Sequence, residues 1–413
     1  MGFQQGLSGL NAASRNLDVI GNNIANANTV GMKTSRTEFA ELYAASVGGS
    51  GGTGLGVTVA AVTQQFTQGN ISVTGNNLDV AINGGGFFQL RQPDESVAFT
   101  RAGNFKIDTN GDLVTNGGAN VMGFKIDTTT GERSSAPVAM RFPAGAPIEA
   151  KETKEITAVV NLDARTPEAA TATPPTPRST YGTSINVYDA QGVVRPVNLY
   201  FVKTATPNTW DVYDRLDDPT AVPPVVAVAV GQVAFDANGK LPTTPPPTPL
   251  TISVSPGPAN AGATPTNFNV NISLDGSTQF GNQFSVSKLN QDGYASGNLT
   301  DINIANDGMV MAIYSNGVSR AEAQFSLVNF ANPQGLAPGG GNIWIATSAS
   351  GIPVPGKPGS GTMGMLRSGA LEDSNVDLTS ELVNMMVAQR AYQANAQTIK
   401  TQDQALSTLL NMR

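Results

Sequence analysis

The chain has 413 residues, a net charge of −7, no histidine and no cysteine. This excludes Cys/His zinc sites, thiolate nucleophiles, Ser-His or Cys-His dyads and a disulfide framework. Charged residues are 13% of the chain against about 25% in ordinary globular proteins, and the acidic balance lacks the basic surface that a nucleic-acid partner needs.

The first predicted element is a helix from about residue 3 to 28. Phe3, Gly6, Leu10, Ala13, Leu17, Ile20, Ile24 and Ala27 recur at alternating spacings of three and four, which makes one narrow apolar seam. Gly31, just past a crowd of asparagines, is the expected left-handed stop. Lys33 to Ser46 reads as a short helical or extended piece, with Phe39, Leu42 and Tyr43 at i, i+3 and i+4, and 48–56 as a glycine-rich connector. The period then changes to two. Strands are expected at 57–59, 71–73, 78–82, 87–90, 99–101 and 105–107, with a hairpin turn at Asn110-Gly111.

Residues 127 to 180 carry no regular pattern, and 163–178 reads as an exposed linker. Alternation returns at 184–188, 197–201, 210–213 and 268–274, interrupted by Pro-rich 219–224 and 242–249. A last set of strands falls at 302–304, 309–314 and 324–330. The chain ends in a second helix over 378–413, started by Asp373, Ser374 or Asp377. Its seam runs through Leu378, Leu382, Met385, Tyr392, Ala396, Ile399, Leu406 and Leu410, with Gln389 and Asp403 as polar seam positions that would fix register.

These elements predict a mainly β multidomain chain with a coiled-coil-like helical part made by its two ends, in nested, discontinuous domains. The expected division is 1–70 with 370–413, 71–144 with 291–369, and an insertion over 145–290. The candidate assembly seam is Leu10, Leu17, Ile20, Ile24, Leu382, Met385, Tyr392, Ile399, Leu406 and Leu410. Each helix needs a partner, first the other terminus and then that of a neighbouring copy. The bland alternative is two helices packed on the protein's own core.

Other motifs are weak. Asp108-Thr109-Asn110-Gly111-Asp112 looks like part of a calcium loop but lacks the closing glutamate, so a hairpin turn is the better reading. Gly49 to Gly54 spells G-x-G-x-x-G, but it follows no strand and opens no helix. Trp344, between Ile343 and Ile345, suits a core. No catalytic, cofactor-binding or metal residue is expected, although carboxylate-only catalysis stays open. No apolar run approaches the ~20 residues of a membrane span, so membrane insertion is not expected. The first residues lack the charged and apolar regions of a secretory signal; export would need a route without a cleaved signal.

Several stretches carry a family resemblance. GLSGLNAASRNLDVIGNNIANANTVGMKTSRTEF at 6–39 resembles the N-terminal signature of the flagellar axial proteins, the rod and hook components of bacteria. ISVTGNNLDVAINGGGFFQL at 71–90 and FTRAGNFKIDTNGDLVTNGG at 99–118 resemble their shared β region. The stretch from Ser368 to Met412 resembles their C-terminal signature. The long insertion and TEFAELYAASVGGSGG at 37–52 are more similar to the hook components than to the shorter rod ones. The resemblance implies an extracellular homopolymer, a curved flexible tube acting as a universal joint. It also implies a flagellar type III export apparatus, a hook cap protein, a distal rod protein and a hook-filament junction protein as partners. Alternatives are a distal rod or hook-filament junction component, or a secreted glycosidase or adhesin whose activity would survive loss of both ends.

Overall fold

A computed structural model describes residues 2–42, 54, 56–127, 131–142, 147–168, 181–216, 226–242, 250–255 and 267–411. Most of the predicted 48–56 connector, residues 169–178 of the predicted linker, 219–224 and 243–249 lie outside the described residues. The chain forms two compact units. One comprises Met1–Ala144, Thr300–Ile313 and Ser319–Arg413; the other comprises Gly145–Leu299 and Tyr314–Val318.

The first unit begins with helix α1, Gly2–Ala25. It stops three residues short of the predicted end because the asparagines leave the helical pattern. The Asn26 side chain donates to Asn22 O at 3.0 Å, a local bond that competes with the next helical turn. Asn23, buried, pairs with the backbone of Ser35, donating to its carbonyl at 2.8 Å and accepting from its N–H at 2.9 Å. It thereby fixes the exit of the helix to the start of strand β1, Ser35–Leu42. Within the predicted helical-or-extended piece 35–42 is therefore strand, and 43–46, with Tyr43, lie outside the described residues. The strand pairs antiparallel with β2, Gly56–Gln64, and a bulge at Glu38/Phe39 shifts its register.

A large sheet follows, with antiparallel pairings along it. Along its main path the order is Leu299–Ile304, Met309–Tyr314, Ser319–Phe325, Asn120–Lys125, Phe87–Arg91, Val97–Thr100, Ile343–Ile345 and Ala337–Gly340. Its interior is aromatic. Phe87 meets Phe66, Phe330 and Trp344 edge-on at centroid separations of 5.4 to 5.9 Å, the arrangement ring quadrupoles favour. Trp344 is buried and its indole N–H donates to Gln64 Oε1. Asn110-Gly111 turns the hairpin between Lys106–Ile107 and Leu113–Val114, and Asp108 Oδ1 accepts from the N–H groups of Asn110 and Asp112. Two short pairings bring the distal chain back: Met365–Ser368 on Val80–Asn83, and Ala370–Glu372 on Ile71–Val73. Helix α2, Leu378–Asn411, follows.

The second unit is two four-stranded sheets. One runs Leu250–Val254, Phe268–Ser273, Glu155–Asn161, Ser285–Gln291; the other runs Gly182–Tyr188, Val194–Lys203, Thr209–Tyr213, Ala229–Ala234. They share one core in which Ile156, Val160 and Ile272 from the first sheet meet Leu199, Phe201 and Trp210 from the second. Strands such as Phe268–Ser273 and Leu250–Val254 bury one face, which is why alternation shows in the sequence there. Glu155–Asn161 lies inside the stretch predicted to be patternless. Ile156, Ala158, Val160 and Leu162 do alternate and are buried, but alanine is a weak apolar marker and Val159 blurs the polar face.

Candidate assembly surface

The α2 helix starts where Asp377 caps it. Its Oδ1 accepts from the N–H of Thr379 at 2.9 Å and of Ser380 at 3.3 Å, satisfying donors that the first turn leaves free. Glu381 in that turn suits the positive end of the helix dipole. The helix runs antiparallel to α1 and very close to it. A Cβ added to Gly6 would lie 3.0 Å from Ile399 Cγ1, and one added to Gly9 would lie 2.8 Å from Asn395 Nδ2. Small residues make this approach possible: Ala12 and Ala13 on α1 and Ala388 on α2 are buried.

The row that α2 turns toward α1 and the ribbon contains Glu381, Asn384, Ala388, Ala391 and Asn395. This row has the three-four spacing of a seam, displaced by about one residue from the predicted one. The predicted positions fall as follows. On α1, Ile20 is buried and Leu10, Leu17 and Ile24 are half-buried. On α2, Met385 and Ile399 are half-buried, while Leu382, Tyr392 and Leu406 remain 51%, 38% and 55% exposed. The Leu410 side chain lies outside the described residues. With Leu378, Val383, Met386 and Val387, the exposed positions leave α2 with large apolar side chains in solvent along its length. At the crossing the glycines supply the room: Gly6 sits against Ile399, a predicted seam residue, and Gly9 against Asn395, whereas Leu382, Tyr392 and Leu406 remain exposed.

Below the helices, three distant segments are joined by a buried charge cluster. Lys33 Nζ donates to Glu372 Oε1 at 2.7 Å, and Arg101 Nη1 donates to Glu372 Oε2 at 3.3 Å; neither Lys33 nor Glu372 has any exposed side-chain surface. Glu372 Oε1 also accepts from Gly69 N at 2.9 Å, and Lys33 donates to Thr67 O at 2.8 Å. The Arg101 guanidinium lies 5.3 Å from the centre of the Phe87 ring, within cation–π range. Burial pushes the Lys33 ammonium and the Arg101 guanidinium below their usual ranges, opposed in both by the charge of Glu372. Beside this cluster Asn375 accepts from Thr34 N and Oγ1, both at 2.7 Å, and donates to Gln65 O at 2.8 Å. Gly31 closes the other side, with φ +70° and its N–H on Glu372 O at 2.8 Å. These residues set where both helices leave the β part. The sequence reading missed them. The available signal was Lys33 and Glu372 flanking the two helices, but residues 339 positions apart give no local pattern.

Between α1, the β1–β2 ribbon and α2 lies a groove of about 710 Å³, lined by Ala12, Ala13, Ile20, Val57 and Ala388 among others. Three buried polar atoms at this groove have no hydrogen-bond partner: Thr37 Oγ1, Gln65 Nε2 and Glu381 Oε2. Among the described residues no cluster of His, Cys, Asp and Glu could hold a metal ion, and no helix is long and apolar enough to cross a membrane.

Comparison with known proteins gives the whole chain a context. Four family models match in order: Flagella basal body rod protein over 3–33, Flagellar hook protein FlgE/F/G D1 domain over 81–157, Flagellar basal body protein FlaE D2 domain over 161–294, and Flagellar basal body rod FlgEFG protein C-terminal over 367–412. The chain is 42% identical to the flagellar hook protein FlgE of Salmonella typhimurium over 419 residues, covering 100% of both. It is 41% identical to that of Escherichia coli over 100% of both, and 35% identical to that of Treponema pallidum over 99% of this chain and 98% of the other. Among solved structures, the Helicobacter pylori flagellar hook protein FlgE2 shares the fold with a TM-score of 0.54 at 16% identity, over 73% of this chain and 100% of that one. The chain belongs to the flagellar hook protein FlgE family.

Proposed function

We propose that this chain is the structural subunit of a flagellar hook and polymerises through its terminal helices. The observation that carries the reading is the exposed apolar surface of α2, with Leu382, Met386, Val387 and Leu406 all more than half exposed. On a single chain that surface costs free energy in water, and packing against another copy removes the cost. The helices then pack, coiled-coil fashion, into the inner wall of a tube, with 1–70 and 370–413 inside, 71–144 with 291–369 around them and 145–290 outermost. A stiff inner layer transmits torque, and weakly apolar outer β contacts slide as the tube bends, so the assembly works as a universal joint. The reading includes export by a type III apparatus without a cleaved signal, growth under a cap protein on a distal rod, and a junction protein at the far end.

The test is polymerisation. Leu382→Asp changes an exposed side chain, so the single chain folds normally, yet tube growth at high salt is lost. Removing residues 1–30 or 378–413 has the same effect and leaves the β units folded. Wild-type tubes are curved under the electron microscope. Straight tubes, or normal growth by Leu382→Asp, would overturn the assignment.

A further inference from the structure

The groove between α1, the ribbon and α2 is incomplete within one chain. Its walls mix small apolar side chains with polar ones, and it holds an acceptor without a donor, Glu381 Oε2, a hydroxyl without a partner, Thr37 Oγ1, and a donor without an acceptor, Gln65 Nε2. Thr37 is 8% exposed, and leaving such groups unpaired in the assembled state costs about 1–3 kcal/mol each. A group that offers a donor to Glu381 and Thr37 and an acceptor to Gln65 would complete the groove.

The end of α2 offers this chemistry. Gly6 faces Ile399 and Gly9 faces Asn395, so the start of α1 comes level with about residue 403. About eight residues of α2, or roughly 12 Å, then project past α1. At the root of this projection Lys400 is exposed and forms no ion pair with any described residue. Its ammonium is donor-only, and its four-carbon stem can lie on an apolar floor. The last turn of any helix also carries carbonyls without intrahelical partners. Arg15 and Arg390 are likewise exposed, but they lie farther from the projecting end than Lys400 does. Arg36, at the groove, is already held by Glu38 at 2.9 Å.

We infer that the groove of one copy seats the projecting end of α2 from a second copy, with Lys400 meeting Glu381 and Thr37 and a last-turn carbonyl meeting Gln65. The inference rests on the assembly reading above and names its contact. The two surfaces differ, so the contact is head-to-tail, the kind that builds an open helical array when its rotation does not close.

The absence of cysteine makes the test clean. Full-length Glu381→Cys and Lys400→Cys chains are mixed under polymerising conditions and treated with a short bifunctional maleimide. A covalent dimer forms in the mixture and in neither chain alone. In parallel, Glu381→Lys and Lys400→Glu each reduce polymer mass about tenfold, and the double swap restores it, as expected when one close charge pair is reversed. Should Glu381→Lys fail to fold, the Lys400→Glu variant and the cross-link decide. No mixed dimer, together with normal polymer from Lys400→Glu, overturns this contact and leaves helix-driven assembly standing. Failure of the parent chain to polymerise at all overturns both.

Discussion

Replacing Glu372 by glutamine tests whether the buried charge cluster holds the first unit together. Glu372→Gln keeps the shape of the side chain and removes its charge. The variant leaves Lys33 and Arg101 buried with no counter-ion, since no other carboxylate pairs with either of them among the described residues. Removing one member of a buried ion pair costs about 3–5 kcal/mol, a large part of the 5–15 kcal/mol that ordinarily separates folded from unfolded chains. For a unit of this size the midpoint of thermal unfolding falls by about 6–20 °C, at 2–4 °C per kcal/mol.

Lys33→Met is the control. It removes one cation and leaves Glu372 and Arg101 as a balanced pair, so its cost stays below about 2 kcal/mol. Proton linkage supplies a second readout. Lys33 titrates below its unfolded value of 10.5, so just below pH 10.5 the unfolded chain binds more protons than the folded one. Stability carried by this group therefore rises with pH through that window. Without the charge of Glu372 the lysine gives up its proton more readily still, and the deficit of Glu372→Gln relative to wild type narrows as pH rises toward 10. Calorimetry on the full chain at neutral and alkaline pH measures both effects. A loss under about 1 kcal/mol for Glu372→Gln, or a larger loss for Lys33→Met, would refute the reasoning.

Two further outcomes follow from local geometry. Asp163, gripped by Arg165 through Nε at 3.0 Å and Nη2 at 2.9 Å, is held at about 2. A depressed carboxyl contributes stability above its unfolded value and loses it as pH falls through the folded one, so this contribution disappears between about 4 and 2. Carbon-detected NMR on Arg165→Gln should show the Asp163 midpoint moving up toward 3.8; an unmoved midpoint refutes the assignment. Gly31→Ala places a Cβ at φ +70°, 2.6 Å from Ala102 N, and should cost about 1–3 kcal/mol in urea unfolding; a neutral result would mean the turn is not held as described.

The β units were legible because their strands bury one face, and Phe268–Ser273 with its alternating burial is the clear case. The helical ends were legible from three-four spacing. Their facing was legible only in part, because counting favours large apolar residues: Ile399 does meet Gly6, but Asn395 fills the place beside Gly9, while Leu382 and Leu406 stay exposed. In β1 the i, i+3 placement of Phe39 and Leu42 made a helix as readable as a strand, and the pairing with β2 shows it extended. The charge cluster and the groove were illegible for a different reason. Lys33, Arg101, Glu372 and Glu381 look like ordinary surface charges until distant segments are brought together.

The reach of Glu372 across 339 positions to Lys33 also sets a timetable for synthesis. The strands of the second unit run from Glu155 to Gln291, so nothing they pair with in that unit's two sheets remains inside the ribosome once residue 291 has emerged. The first unit cannot neutralise its two sequestered cations until residue 372 is made, and α2 comes later still. Long-range closure of this kind is slow. A nascent chain therefore holds a finished middle between two unfinished ends, and the helical ends are the last to mature.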